Sequence, residues 1–297
     1  STKRSIIFFS FLIIFSITFA AHSQDIPRPE HPQPQFERNQ WINLNGTWDF
    51  TMQLKVDNPD ENWKTRPESF DRKIKVPFPP ESELSGIGYT DFIMGVWYKR
   101  NFEIPDSWQG QRIFVNFGGV DFDTRVWINN QLVGRHVGGT GSFEFEITKA
   151  IQKGGNEIVV YAYDNTLSDK QPLGKQSRQQ PPRWGGVTYT RVTGIWQTVW
   201  LEARPKKFIE RVFIIPNLDK GEFSVIPEFN GITRGDIFEV VVTTQEGEKV
   251  TSASALAADG YPLILKVTKP RAWSPDDPYL YNLELILRPV GGMTDNV

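Results

Sequence analysis

The sequence predicts an all-β protein, a jelly-roll β-sandwich followed by an immunoglobulin-like β-sandwich. Short runs of aromatic and β-branched residues recur between turn residues, and no amphipathic pattern of helix length interrupts them. The aromatic share is 13%, with 10 Trp, 21 Phe and 8 Tyr, and such side chains suit a pleated, half-buried surface. A chain of 297 residues is long enough for two cores.

Charge and cysteine content narrow the function classes. Thirty-three basic against 35 acidic residues leave a net charge of −2, which offers nucleic acid or an anionic membrane no electrostatic footprint. Cysteine is absent, which excludes disulfides, thiolate metal sites and cysteine nucleophiles together.

In chain order, Lys3 and Arg4 precede an apolar run over 6–19, and Ala20, Ala21 and Ser23 supply small residues beyond it. This is the pattern of a cleaved signal peptide over 1–23. The run falls short of the roughly 20 residues that span a bilayer, and no cysteine is present for lipid attachment. The expected location is therefore periplasmic or extracellular, with no membrane association after cleavage. Residues 24–40 carry Pro27, Pro29, Pro32 and Pro34 and read as an extended linker, so the fold is expected to begin near Trp41.

From Trp41 to residue 205 the strands follow one another. Phe143, Phe145 and Ile147 alternate with Glu144 and Glu146, the period of a strand with one face in water. The run EIVVYAYD from Glu157 is apolar on both faces and reads as central. Residues 187–203, VTYTRVTGIWQTVWLEA, place Gly194 before a strand at Val199. Trp48, Trp127 and Trp200 fall within predicted strands and read as core. From 206 to 297, runs such as IFEVVVTT from Ile237 and LYNLELIL from Leu280 suit the second sandwich, with Leu283, Leu285 and Leu287 on one face. That sandwich is expected to stop short of its last strand, Asp295-Asn296-Val297 being the start of it, with an exposed edge prone to association.

Several ordered motifs resemble the amino-terminal sugar-binding domain of glycoside hydrolase family 2. They are WINLNGTWDF from Trp41, VPFPPES from Val76, VWYKRNFEIP from Val96, FGGVDF from Phe117, VWINNQLVGRH from Val126, NEIVVYAYDN from Asn156 and TGIWQTVWLE from Thr193. AWSPDDPYLY from Ala272 is similar to the immunoglobulin-like domain that follows in that family. The resemblance implies a galactose-binding-like jelly roll, an immunoglobulin-like sandwich and then a (β/α)₈ barrel, the architecture of β-galactosidase-like and β-glucuronidase-like exoglycosidases. It implies a retaining two-glutamate mechanism carried by barrel residues beyond 297, so no catalytic residue is assigned within this chain and the chain alone is expected to be inactive. The Asn156-Glu157 pair imitates the family's acid/base dipeptide, but it enters a jelly-roll strand and reads as structural.

Sugar sites join an aromatic platform to convergent polar groups. In the family a loop before the Gly-Ile of the last jelly-roll strand reaches toward the sugar pocket and often carries an acidic residue, where this chain has Thr188 and Tyr189. The substrate-binding candidates are Arg183, Trp184, Tyr189 and Arg191, with Asp91 reaching the same mouth, each set against a role in domain packing. His136 has no second histidine nearby, and Asp121 with Asp123 is a sparse pair for calcium, so no metal and no cofactor are expected. Asn45-Gly46-Thr47 is a formal glycosylation sequon. The expected partners are a β-linked oligosaccharide, the barrel of the parent chain and a second copy in a homo-oligomer. The alternative is a stand-alone carbohydrate-binding or adhesion protein without hydrolase activity.

Overall fold

Alternating apolar positions become strands that close two sandwiches. The computed structural model describes residues 26–180 and 187–297. The first sandwich contains β1 (Trp41–Asn43), β2 (Gly46–Gln53), β3 (Arg72–Val76), β4 (Gly95–Glu103), β5 (Arg112–Phe117) and β6 (Val120–Asp121). It continues with β7 (Asp123–Ile128), β8 (Gln131–Val137), β9 (Phe143–Glu146), β10 (Gly155–Tyr163), β11 (Gly194–Ile195) and β12 (Val199–Arg204). A six-stranded sheet, β3-β2-β4-β10-β7-β8, packs on a four-stranded sheet, β1-β12-β5-β9. Trp48, Phe50, Val96 and Tyr98 from the first meet Val115, Phe117, Val199 and Leu201 from the second in one buried cluster. The only α-helical segment among the described residues is the single turn Pro59–Asn62.

The two-sided apolar run of β10 is explained by its position between β4 and β7. Its outer-face Tyr161 packs with Trp97 and Trp127 in a second cluster, Trp97 lying 4.5 Å from Tyr161 and 5.6 Å from Trp127 between ring centroids. Trp127 is therefore buried outside the main core. The β7–β8 hairpin turns at Asn129 and Asn130, both at positive φ (48° and 69°), as the twist of a tight hairpin requires. Glu157 lies in β10 opposite Asn101 of β4, a structural position. His136 stacks on Phe143 at 4.1 Å and leaves Nε2 buried without a partner, so ring packing holds it.

The second sandwich is made of β13 (Phe208–Asn217), β14 (Glu222–Asn230), β15 (Ile237–Thr243), β16 (Lys249–Leu256), β17 (Leu263–Lys266), β18 (Asn282–Arg288) and β19 (Asp295–Asn296). Its sheets run β13-β14-β17 and β16-β15-β18-β19, and Leu285 and Leu287 enter its core with Phe238, Val240 and Val242. β19 pairs with β18, and Val297 exchanges main-chain hydrogen bonds of 2.8 and 3.0 Å with Leu285.

All of β12 is buried, although Trp200, Glu202 and Arg204 point away from the core of their own sandwich. The cover is the proline-rich segment expected to be a free linker. Pro27 and Arg28 accept hydrogen bonds from the Asn45 and Asn43 amides, Phe36 packs on the second core, and Arg38 is 5% exposed. The segment is extended, but it straps both sandwiches. Arg38 donates to both carboxylate oxygens of Asp295 (3.2 and 3.1 Å) and to the Ile209 carbonyl (2.6 Å), and lies 3.7 Å from Glu202. Glu202 also pairs with Arg204, which forks onto Glu144 at 2.7 and 2.5 Å. Phe208 of β13 sits under the guanidinium groups of Arg38, Arg112 and Arg204, 5.2–5.6 Å from its ring centroid. The strap also buries the sequon: Asn45 is 1% exposed and bonded to Thr198 and Val199, so the folded domain offers no acceptor there.

Removing one member of a buried ion network strands the others. Arg38→Ala is expected to cost about 3–5 kcal/mol in chemical denaturation, because Asp295 and Glu202 lose their shared cation. A midpoint equal to the parent's would show that the strap contributes nothing to the joint.

Candidate functional site

The site is assembled where several strand ends meet the residues that lead into β11. Gly194 has φ +72°, and a Cβ there would come within 2.8 Å of the Val96 side chain and nearer still to the Tyr98 hydroxyl. Only glycine lets the chain lie flat on the core at that point. Tyr98 then receives the Ile195 amide at 3.2 Å.

Upstream, Thr193 is tied to two buried acids and Val192 to the amide partner of a third. Thr193 donates its hydroxyl to Asp164 (3.1 Å) and its main-chain N–H to Glu81 (3.2 Å). The Val192 N–H donates to the Gln176 side-chain oxygen, and the Gln176 amide donates to Asp121 at 3.1 Å. Gln171 donates to the other oxygen of Asp164 at 2.6 Å. Glu81 comes from the loop after β3, Asp121 ends β6 and Asp164 follows β10, so three separate strand ends converge on one segment. Asp164 is fully buried, and Glu81 and Asp121 are 7% and 8% exposed.

Burial governs the titration of this trio. Loss of solvent pushes Glu81 up to about 8 against its hydrogen bonds from Thr193. Burial, then the neighbouring Asp121, raises Asp164 to about 7, and burial raises Asp121 to about 6. Raised carboxyl pKa values of this kind occur in active sites. Here the carboxyls are closed off from solvent and bonded to the segment above them, which makes them anchors.

Arg191 is the second clamp. It is 2% exposed and donates to the carbonyls of Ser177 (2.7 Å), Gln179 (3.1 Å) and Thr90 (2.5 Å) and to the Gln180 side chain (3.2 Å). Its guanidinium lies 4.0 Å from the Phe92 ring centroid, within cation–π reach. The sequence placed Arg191 among the sugar contacts, but its two terminal nitrogens donate to three main-chain carbonyls and the Gln180 side chain, its Nε is buried without a partner, and the group organises the loop from below. Asp91, half-buried beside this clamp, accepts the Phe92 N–H at 2.7 Å. Tyr189 is 47% exposed, and its main chain bonds with Lys175 and Ser177. Arg183 and Trp184 lie outside the described residues. The structure thus brings together Asp91, Arg191 and the main chain at Tyr189, with the tyrosine as the group that faces solvent.

Glu81 and Asp164 were not singled out from sequence, although both lie within the quoted runs VPFPPES and NEIVVYAYDN. A lone acid at a strand end has no local signal of burial. Asp121 and Asp123 separate in role: Asp121 holds Gln176, and Asp123 pairs with Arg125 (3.2 Å) and Arg135 (2.8 Å). Among the described residues no group of His, Asp or Glu has the arrangement of a metal site.

The fold is that of a sugar-binding jelly roll with an immunoglobulin-like partner, and comparison with known proteins gives the same class. Residues 42–205 match the model for "Glycosyl hydrolases family 2, sugar binding domain", and residues 207–297 match "Glycosyl hydrolases family 2". The chain belongs to glycosyl hydrolase family 2. It is 28% identical over 214 residues to a β-galactosidase of Thermoanaerobacter pseudethanolicus, covering 69% of this chain and 28% of that protein. It is 26% identical over 305 aligned positions to a β-glucuronidase of Bacteroides fragilis, covering 97% of this chain and 39% of the relative. The fold is also that of the apo β-glucuronidase of Ruminococcus gnavus, with a TM-score of 0.68 at 19% identity over 88% of this chain and 45% of that one. The chain spans less than half the length of each of these three proteins.

The three acids keep their protons in the fold at a pH where the unfolded chain has lost them. Their contribution is therefore complete below about pH 4 and drains away as pH rises through about 6, 7 and 8. Amide exchange measured across residues 176–193 is expected to quicken relative to the core from pH 5 to pH 8. Glu81→Gln, which cannot ionise, is expected to flatten that trend and to stabilise the chain at pH 8 by on the order of 1 kcal/mol. A protection profile independent of pH in both proteins would contradict the assignment.

Proposed function

We propose that this chain is the non-catalytic amino-terminal portion of an exported β-glycosidase that removes terminal β-linked sugars, β-galactosidase-like, by a retaining mechanism. The observation that carries the reading is the tandem order of the two family models along 42–205 and 207–297. The names of the relatives, β-galactosidase and β-glucuronidase, support the reaction class. Retention needs two carboxylates about 5 Å apart and open to substrate. The buried trio Glu81, Asp121 and Asp164 is spent on holding a loop, and family membership implies a catalytic pair in a barrel beyond residue 297. The role of this portion is recognition: Arg191 and the acid trio hold residues 171–180 and 187–193 so that Tyr189 reaches the sugar pocket, while Arg183 and Trp184 remain candidates from the sequence alone. Export rests on the pattern over 1–23.

The parent protein is expected to hydrolyse a 4-nitrophenyl β-galactoside or β-glucuronide, and this chain alone is expected to leave both intact. Loss of hydrolysis on substituting two barrel glutamates completes the assignment. A parent reading frame with no barrel after Val297, or turnover by this chain alone, overturns it.

A further inference from the structure

A cleft of about 750 Å³ lies between the strap and the first sandwich, lined by Arg28 and by Glu30 to Gln35 on one side and by Pro77, Gly118, Thr140, Ser142, Trp196, Gln197, Thr198 and Trp200 on the other. It shares no lining residue with the Arg191 and acid-trio site. Its volume falls in the range of small-molecule sites, about 300–1,000 Å³.

The wall is built to hold an aromatic ring still. The Trp196 indole N–H donates to the Gly139 carbonyl at 2.7 Å, and the ring lies so close to Gly119 that a Cβ there would sit 2.9 Å from its Nε1. Across the cleft, His31 stands edge-on to Trp41 at 4.7 Å and receives the Gln33 N–H at Nδ1. Its Nε2 is buried without a partner, and a buried ring nitrogen with no partner is an unmet hydrogen bond.

The charge lining the cleft cancels. Arg28 and Glu30 pair at 3.5 Å, and the remaining polar lining is amide and hydroxyl: Gln33, Gln35, Thr140, Ser142, Gln197 and Thr198. Such a lining gives no net attraction to an anion or a cation. A fixed aromatic ring among neutral donors and acceptors suits a polyhydroxylated ring whose C–H face packs on indole.

We propose that this strap cleft is a second carbohydrate subsite, taking a neutral β-linked disaccharide unit, separate from the segment 171–193. It extends the functional reading above without using its residues. A sugar held there is expected to tie the strap to the sandwich.

Titration of the chain with lactose and with cellobiose, followed by calorimetry and by the indole ¹H–¹⁵N resonances, tests it. Saturable binding of at least one disaccharide is expected, with Trp196 Nε1–H among the shifted signals. Gln197→Ala is expected to weaken it about 5-fold, the loss of one hydrogen bond. Tyr189→Ala, in the other site, is expected to leave it unchanged. Binding abolished by Tyr189→Ala but untouched by Gln197→Ala would move the sugar to the loop and overturn the proposal. So would the absence of saturable binding of either disaccharide. Neither result bears on whether the parent hydrolyses glycosides, so the two readings fail separately.

Discussion

The segment that leads into β11 depends on Thr193, whose hydroxyl and amide are both given to buried acids, Asp164 and Glu81. An unpaired buried carboxyl is costly, and a hydrogen bond made to it is worth more than one made in water. The acids and the segment therefore stabilise one another. Beside Thr193, Gly194 brings the main chain onto the core and Arg191 gathers the carbonyls of Ser177, Gln179 and Thr90. Three interactions of different kinds, at Arg191, Thr193 and Gly194, thus position the described residues that lead into β11.

The same logic recurs at the joint between the sandwiches. Arg38 and Arg204 share Glu202, and Asp295 and Glu144 complete the network. Aromatic faces on Phe114 and Phe208 shield it. Buried ion networks of this sort give less net stability than their distances suggest, because desolvation offsets much of the attraction. Their directionality fixes one relative arrangement of two domains whose apolar cores would tolerate several.

Much of the fold was legible because strand burial writes a period of two into the sequence. Phe143 and Phe145 against Glu144 and Glu146, and the two-sided run of β10, both became the elements their pattern implied. What was illegible depends on partners far away in the chain. The strap reads as a linker because its prolines and polar side chains give no period, and Arg38 meets Asp295 only across 257 residues. β16, KVTSASAL, was missed because an edge strand exposed on alternate residues carries few large apolar groups. Within the site, Arg191 was visible as a residue but not as a buried one. Local sequence does not distinguish an arginine that greets a ligand from one that binds three carbonyls.

If Arg191 acts on substrate only through the loop it holds, steady-state kinetics of the parent protein carrying Arg191→Lys will show it. Lysine keeps the charge but cannot span the carbonyls of Ser177, Gln179 and Thr90 together. The expected result is a raised KM with kcat nearly unchanged, the mark of lost binding shared by ground and transition states. A fall in kcat at constant KM would place Arg191 in the chemistry and contradict it.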